Sequence, residues 1–528
     1  MKAKFLSIIL ASLLVLGIAA GCSPKEEAEL DGETVETSAD TDGNGKTLRI
    51  AFPDTLTTVD VADVTASTML KEVGGVVETL VYADADFNLT PLLATEWEMT
   101  GDYTWVFKLR DDVTFHDGTK FNADAVKWCI ERSLVNNSAL KGSTFIESVD
   151  VIDDYTVQFN TFEKTTDLPA ALSYVGTGIV APSSVDENGN FVKAVGTGYF
   201  MQDKFDETSG TFESVVYDGY WRDVDTSVTR RVVKSMTDAS ARSLAVQNGE
   251  LDIAADVPFS DLETLSNLEN VTVSKFNTAR TYFYEFNMNE ELFQDERVRK
   301  ALIHAINKEE IVNDVLLGVG GVPNGILMDD MPWANTDVDT YDYDVEKAKD
   351  LLSEAGYKDT DNDGFIDKNG EKLTIKLLSF PKRPGCPLIV QATQGYFANI
   401  GIDTSVEIVD WSAMNEIIAD GDYDMVLNSA ATAYIPTPAY YLEEYYCTND
   451  TGYVNEELNA LVDKCQATAD MEEKYEYSRQ AQAIAQQDAC VFTPALYGAV
   501  FAISNDVVNF EYNAAAHDFI VPYETDLK

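Results

Sequence analysis

The feature that most constrains the fold is an alternation of strand-like and helix-like segments that continues through most of the chain. Residues 47–52 (TLRIAF) form a short apolar run that is typical of a buried strand. Residues 104–109 (TWVFKL) alternate apolar and polar side chains, as a half-buried strand does. Asn122 directly precedes a helical apolar stripe and is well placed to cap that helix.

The same alternation continues further along the chain. Val298, Leu302 and Ile306 recur every four residues and predict an amphipathic helix. The other predicted elements are a hairpin at 149–159, a helix at 345–355 that Gly356 ends, and strands at 373–378 and 405–409. Because no period of about 20–50 residues recurs, solenoids and propellers are excluded, and a mixed α/β fold with several lobes is predicted.

The charge balance excludes whole classes of partner. The chain of 528 residues holds 90 Asp and Glu against 38 Lys and Arg, a formal net charge of -52. A surface this acidic repels phosphate backbones, so nucleic-acid binding is excluded. At 45% hydrophobic residues the chain has ample material for a core, and its length predicts about three domains.

Motifs of catalysis are missing from the sequence. It has no GxSxG elbow, P-loop, HExxH or GxGxxG after a strand, and no CxxC pair. The three histidines, His116, His304 and His517, are far apart along the chain. We therefore expect a protein that is not an enzyme and needs no cofactor, with a secreted hydrolase as the remote alternative.

One segment matches the front of a calcium loop. Asp359, Asp361, Asp363 and Asp367 follow the spacing DxDxDGxxD. The twelfth position, where a bidentate acid is expected, holds Gly370. A calcium site and a polar hairpin loop, whose aspartates serve turn geometry, are both open.

The N-terminus indicates export. Two lysines precede an apolar run at 5–20, which is shorter than the ~20 residues of a membrane span and fits a signal peptide. The run ends in Ala-Ala-Gly-Cys, which resembles a bacterial lipobox with Ala19 in place of the usual leucine. Residues 1–22 are thus predicted to be a lipoprotein signal peptide, with Cys22 as the lipid anchor. The alternative is an ordinary secretory signal followed by a coincidental cysteine.

Residues 23–46 are predicted to be a disordered acidic tether. They hold eight acids and two lysines and show no apolar periodicity. Such a segment cannot bury enough surface to offset its ordering entropy.

Several longer segments form a recognisable series. It begins with 93–97 (LATEW) and 104–128 (TWVFKLRDDVTFHDGTKFNADAVKW), and continues with 194–200 (AVGTGYF), Tyr220-Trp221, 241–253 (ARSLAVQNGELDI), 286–312 (FNMNEELFQDERVRKALIHAINKEEIV) and 341–357 (YDYDVEKAKDLLSEAGY). The series resembles the signature of the peptide/nickel family of extracellular solute-binding proteins (solute-binding protein family 5), which feed ABC importers. The resemblance covers residues 47–528.

The resemblance implies an α/β, two-lobed, type II-like periplasmic-binding-protein fold. Its inserted third lobe corresponds to residues 82–195. The first lobe corresponds to 47–81 and 196–285, the second lobe to 286–490, and a hinge strand with a return to the first lobe to 491–528. Residues 280–287 and 491–500 are expected to be the crossover hinge strands, with the ligand enclosed between the lobes.

The resemblance also implies a function. We expect a monomeric, lipid-anchored lipoprotein on the extracytoplasmic face of the bacterial cell membrane, which captures a small solute and delivers it to the permease subunits of an ABC transporter. The ligand is expected to be a nickel chelate or another compact solute. An oligopeptide or dipeptide is the alternative within the same family.

The choice of ligand depends on one loop. In peptide-binding relatives an aspartate precedes a proline in the second lobe, whereas residues 428–442 (NSAATAYIPTPAYYL) contain no acid. The nickel-chelate binders are similar at 332–335 (PWAN), and they suggest Thr65 and Met69 as ligand contacts. Tyr434 in the acid-free loop and Arg280 on a hinge strand complete the predicted ligand-binding residues, although the arginines and the histidine of those relatives have no counterpart at 136–141, 176–182 or 447–453.

The lipid anchor can be tested directly. In a Cys22→Ser variant we expect the protein to appear in the medium, or to accumulate as an unprocessed precursor, because the acylated side chain is missing. Fractionation of membranes and medium measures this. A variant that fractionates with membranes as the unchanged protein does would contradict the anchor.

Overall fold

The computed structural model describes residues 45–448 and 451–528, so the predicted signal peptide, Cys22 and nearly all of the tether lie outside the described residues. The strands of this part of the chain are, in order, Lys46–Phe52 (β1), Val81–Ala83 (β2), Leu89–Pro91 (β3), Ala94–Gly101 (β4), Thr104–Leu109 (β5), Ile146–Asp153 (β6), Thr156–Thr161 (β7), Phe200–Asp206 (β8), Thr211–Val216 (β9), Val228–Ser235 (β10), Ile253–Ala255 (β11), Val271–Phe286 (β12), Asp367–Lys368 (β13), Glu371–Lys372 (β14), Thr374–Ser379 (β15), Asp403–Ile408 (β16), Met425–Ala431 (β17), Val491–Ser504 (β18), Val507–Val508 (β19) and Asp526–Leu527 (β20). The strand β1 begins at Lys46, so the predicted tether cannot extend that far.

Helices surround the sheets. The α-helices of the described residues are Val64–Thr68 (α1), Ala123–Asn136 (α2), Ser138–Thr144 (α3), Leu168–Ala171 (α4), Ala239–Gln247 (α5), Leu262–Ser266 (α6), Glu291–Gln294 (α7), Glu296–His304 (α8), Lys308–Glu310 (α9), Val345–Glu354 (α10), Gly385–Ala398 (α11), Trp411–Asp420 (α12), Tyr440–Leu442 (α13), Glu456–Ala467 (α14) and Met471–Asp488 (α15). Short π-helical turns are found at Met69–Val73, Ile311–Val315 and Glu443–Cys447, and 3₁₀ turns at Val175–Thr177, Pro182–Ser184 and Phe259–Asp261.

A ten-stranded sheet joins the two lobes. Its order is β16-β15-β17-β12-β18-β11-β1-β10-β9-β8. The strands β15–β17 lie in the range predicted for the second lobe, and β1 and β8–β11 in the ranges predicted for the first. Between them, β12 pairs antiparallel with both β17 and β18, while β18 continues onto β11. The predicted crossover strands therefore lie at the centre of the sheet, almost wholly buried, and the mixed α/β prediction is confirmed.

A separate sheet of order β4-β5-β7-β6 is covered by α2. It lies inside the range 82–195 that was predicted to be an inserted lobe, although the boundaries of the lobes stay predictions. Asn122 caps α2 as expected, because its side chain accepts a hydrogen bond from the Ala125 N–H at 3.0 Å. The predicted hairpin at 149–159 is also confirmed by β6 and β7, with its turn at Asp154 and Tyr155.

The C-terminal segment 505–528 returns to the first lobe. The buried Arg231 guanidinium of β10 donates hydrogen bonds to the carbonyl oxygens of Val521 and Pro522, at 3.0 and 2.5 Å. The Val521 N–H in turn donates to the Glu72 carbonyl oxygen at 2.7 Å. These bonds fix the segment against the π-helical turn Met69–Val73, which matters because residues 517 and 518 reach the space between the lobes.

The helices of the described residues include none with both the length and the apolar composition of a membrane span. The five cysteines of that part of the chain are free thiols, and all of them except Cys447 are buried.

Gly196 provides a test of the fold. It belongs to the AVGTGYF segment, and a Cβ atom at this position would lie 2.0 Å from the Val76 carbonyl oxygen. Since backbone must move to relieve that clash, Gly196→Ala should lower the free energy of unfolding by about 2 kcal/mol or more. Urea unfolding measures the loss.

Gly395 in α11 is the matched control, because a Cβ there would meet no atom within 4 Å. Alanine is the better helix former by about 1 kcal/mol, so Gly395→Ala should keep or raise stability. Equal behaviour of the two variants would show that the close approach at Gly196 is not real.

Candidate ligand-binding site between the lobes

Four segments converge where the lobes meet. Arg383 lies in the loop after β15, Arg280 on the hinge strand β12, and Tyr434 in the loop after β17. His517 and Asp518 come from the C-terminal segment. We call these five residues the arginine site. Except for Tyr434, they line a cavity of about 20 Å³, which holds about one water molecule.

Buried ion pairs hold the arginine site together. Arg383 contacts Asp518 at 2.9 Å and Asp256, at the end of β11, at 3.4 Å. Arg280 lies 3.5 Å from the same Asp518 oxygen. The Tyr497 hydroxyl of β18 donates to the other oxygen of Asp256 at 2.6 Å. Two arginines and two aspartates therefore balance in charge, as buried ions must.

The arginines change the titration of Asp518. Burial by itself would raise the pKa of this carboxyl, but Arg383 and Arg280 outweigh it and hold the pKa well below its usual range. Asp518 is thus a carboxylate throughout the physiological range. Guanidinium groups bind carboxylates through two parallel hydrogen bonds, so the same two arginines offer the chemistry that would hold a carboxylate of a solute.

Aromatic rings form the other wall of the site. The Tyr434 ring stacks on the His517 imidazole with the ring centres 4.1 Å apart and the planes 12° apart. The centre of the Tyr174 ring, in the 82–195 range, lies 6.3 Å from the ring centre of Tyr434 and 6.2 Å from that of His517. Arg280 Nη2 donates to the Tyr434 hydroxyl at 3.2 Å, which joins the aromatic wall to the arginines.

The His517 imidazole is neutral at neutral pH. Burial lowers its pKa to about 3, and the positive charges of Arg280 and Arg383 act in the same direction. Its Nδ1 atom is buried without a hydrogen-bond partner. The imidazole is therefore a neutral ring with one free nitrogen inside the site.

The predicted residues divide into two pairs. Arg280 and Tyr434 are brought together in the arginine site. Met69 is fully buried in the hydrophobic core and Thr65 lies on α1, and neither lines the cavity at Arg280. Their contact with a ligand stays a prediction.

The stretch around Met69 nevertheless supports the site through Glu72. Burial raises the pKa of Glu72 to about 7. Its two carboxyl oxygens accept hydrogen bonds from the backbone N–H groups of His517 and Asp518, at 2.7 and 3.0 Å. Glu72 thereby fixes the backbone that presents both site residues.

Sequence reasoning missed Arg383, Asp256 and Asp518. The segment Phe380-Pro381-Lys382-Arg383-Pro384 offered one signal, because two cations between prolines follow the end of a predicted strand in a chain poor in cations. Loops at such strand ends commonly hold ligand. The two aspartates offered none, since they are two among 90 acids.

The aspartates of the calcium-loop match come together only in part. Asp359, Asp361 and Asp363 are exposed, and oxygens of the three lie within 4.8 Å of one another. Asp367 instead accepts hydrogen bonds from the backbone N–H and the hydroxyl of Thr360, at 2.9 and 2.7 Å. The short hairpin of β13 and β14 follows, which suits the polar-loop alternative, and calcium binding stays a prediction.

The low pKa of His517 predicts a pH effect. Between pH 6.5 and about 3 an unfolded histidine binds a proton that the folded one does not, so this group lowers stability as the pH falls through that window. His517→Phe keeps a stacked ring that cannot be protonated. Its loss of stability between pH 7 and pH 5 should therefore be smaller by about 2 kcal/mol than that of the unchanged protein.

Urea unfolding at the two pH values measures this difference. Glu72 acts in the opposite sense, because its raised pKa favours the folded state at the lower pH, but it is present in both proteins and cancels. Equal losses would show that His517 is not buried in neutral form.

Comparisons with known proteins agree with this architecture. Residues 88–452 match the profile described as "Bacterial extracellular solute-binding proteins, family 5 Middle". The chain is 30% identical over 416 residues to the oligopeptide-binding protein AppA of Bacillus subtilis, which covers 74% of each chain.

Solved structures show the same fold. A nickel ABC transporter protein from Bacillus halodurans superposes with a TM-score of 0.74 at 27% identity, over 91% of this chain and all of that one. NikA from Brucella suis, in complex with Fe(III)-EDTA, gives a TM-score of 0.82 at 22% identity, over 92% of this chain and all of that one. The two-lobed, type II-like fold is confirmed, and the chain belongs to family 5 of the bacterial extracellular solute-binding proteins, the binding components of ABC importers.

Proposed function

We propose that the protein captures a compact, carboxylate-bearing solute outside the cytoplasm and delivers it to the permease of an ABC importer. The family to which it belongs is extracytoplasmic and associated with transport. The finer features of the proposal are an anchor at Cys22, a monomeric state and the absence of catalysis. Binding alone suffices for this role, because closure is driven by the higher affinity of the closed state for the solute.

The observation that carries the proposal is the arginine site itself. Arg280 lies on a strand shared by the two lobes, Arg383 belongs to the second lobe, and Asp518 belongs to the segment that returns to the first. A group bound between the arginines therefore touches both halves of the molecule. A solute that replaces the Asp518 carboxylate would couple binding to lobe closure.

The small size of the cavity favours a movement on binding. About 20 Å³ is far below the ~300–1,000 Å³ of ordinary ligand pockets, so the lobes must separate before a solute enters. The strands β12 and β18 offer the hinge for this movement.

A nickel chelate is the first candidate for the solute. Its carboxylates suit the two guanidinium groups, and the stacked rings of Tyr434 and His517 offer a flat face to a chelator. NikA of Staphylococcus aureus was solved with Ni(L-His)2, and the fold of this chain superposes on it with a TM-score of 0.78 at 20% identity.

A short peptide is the second candidate. AppA of Bacillus subtilis, to which the chain is 30% identical, is an oligopeptide-binding protein. Residues 428–442 contain no acid, but Glu443 and Glu444 follow directly and line a second cavity beside Tyr440. The free amine of a peptide would therefore lie close to the carboxylates of Glu443 and Glu444, which directly follow the acid-free loop.

Calorimetry with nickel–histidine complexes beside a panel of dipeptides tests the proposal. We expect at least one carboxylate-bearing solute to bind, with the nickel complexes favoured. At a hundredfold excess over Kd the bound protein should gain about 2.7 kcal/mol of stability, because only the folded state holds the site. X-ray scattering should show the lobes closing.

Two variants assign the binding to the site. Arg383→Gln should weaken binding more than tenfold, because it removes one of the two charged partners of the solute. Tyr434→Ala should weaken the chelates more than small carboxylates. If dipeptides bind and the chelates give no heat, the nickel candidate is wrong, and if Arg383→Gln changes no affinity, the solute binds elsewhere.

A further inference from the structure

A second, larger cavity lies beside the arginine site. It has a volume of about 430 Å³, within the range of ordinary ligand pockets. Phe145 and Phe162 lie on one side of it, in the 82–195 range. Tyr440, Glu443 and Glu444 lie on the other side, in the segment that follows the acid-free loop. We call it the glutamate cavity.

The two glutamates of this cavity have no cationic partner among the described residues. Glu443 accepts one hydrogen bond, from Gln466 Nε2 at 3.3 Å, and among the described residues no hydrogen bond or ion pair reaches the Glu444 carboxylate. Burial raises the pKa of both groups, as it does when a carboxylate loses water without gaining a counter-charge. Their charge is available to a ligand.

The nearby lysines either form an ion pair with another residue or do not line the cavity. Asp167, a third carboxylate of the lining, forms a buried ion pair with Lys474. The Lys141 amino group lies 5.7 Å from the centre of the Phe162 ring but does not line the cavity. In the part of the chain that the structure describes, the lining holds acids, aromatic rings, aliphatic groups, hydroxyls and one amide but no lysine or arginine.

Aromatic side chains complete a surface that suits a positive charge. Phe145 and Phe162 meet edge to face with their centres 5.7 Å apart. A cation above such a ring is attracted by its quadrupole, in addition to the charges of the carboxylates. The ring centres of Tyr440, which lines the glutamate cavity, and Tyr434 of the arginine site are 6.2 Å apart, so the two sites are neighbours.

We propose that the glutamate cavity is a subsite for a cationic group of the captured solute, an alkylammonium or a guanidinium. The solute would then carry a carboxylate at the arginine site and a positive charge at the other end. This inference rests on the proposed capture of a solute between the lobes, and it narrows the solute to one with both charges.

The charge preference of the cavity can be measured without knowing the solute. Ser143 lines the cavity, and Ser143→Cys in a Cys447→Ser background places one accessible thiol there, since the other cysteines of the described residues are buried. A trimethylammonium methanethiosulfonate should react about tenfold faster than a sulfonate reagent of similar size, because a cleft of one charge concentrates its counter-ion.

Adding Glu443→Gln and Glu444→Gln should remove this preference. The control adds Glu472→Gln and Glu473→Gln, two consecutive exposed acids of α15, which change the net charge equally and should leave the preference intact. Equal rates for the two reagents in the unmodified background would overturn the subsite.

A matched pair of dipeptides tests binding itself. Alanyl-lysine should bind about 10–100-fold more tightly than alanyl-norleucine, because a hydrogen bond to a charged group contributes about that factor. The Glu443→Gln, Glu444→Gln protein should lose the difference and keep its affinity for alanyl-norleucine. Equal affinities overturn the subsite but leave the capture of solutes standing. If no solute of either panel binds, the proposed function is contradicted. The reaction rates at position 143 then decide by themselves whether the subsite for a cationic group exists.

Discussion

The pairing of β12 with β18 is the constraint on which the rest of the molecule depends. These two long antiparallel strands are hydrogen-bonded to each other and, on their outer edges, to one lobe each. Because β18 and residues 278–286 of β12 are almost wholly buried, their backbone groups have no partner other than the sheet. The lobes can therefore rotate against each other only as far as this ladder bends, and the position of the arginine site follows from it.

Charge balance is the second constraint. In a chain with a net charge of -52, the two arginines buried between the lobes, Arg280 and Arg383, each contact a carboxylate. Asp256 and Asp518 supply these partners from the first lobe, which closes the space between the lobes almost completely. An entering carboxylate competes with groups of the protein rather than with water.

The parts of the structure that depend on local pattern could be predicted. The strand β5, the cap at Asn122 and the hinge strands follow from periodicity, capping chemistry and apolar runs. The contact between Arg383 and Asp518 joins residues 135 positions apart, and no local pattern encodes it. Arg280 was predicted because it lies on a hinge strand and Tyr434 because it lies in the acid-free loop, whereas Met69 was carried over from relatives and lies in the core. The same limit explains Glu443 and Glu444, whose relation to Phe162 depends on how two distant segments meet.

One irregularity of the central ladder has a consequence for how this protein can evolve. The register of β12 against β18 shifts between Asn277 and Thr281, so residues 278–280 have no Cα partners on β18. Such a bulge bends a strand and redirects its side chains. Residues 278–280 include Arg280, which faces the solute in the proposed function, while the flanking rungs of the β12–β18 ladder lie outside them. If that proposal holds, solute preference could vary by substitution within the bulge while the hinge keeps its hydrogen bonds.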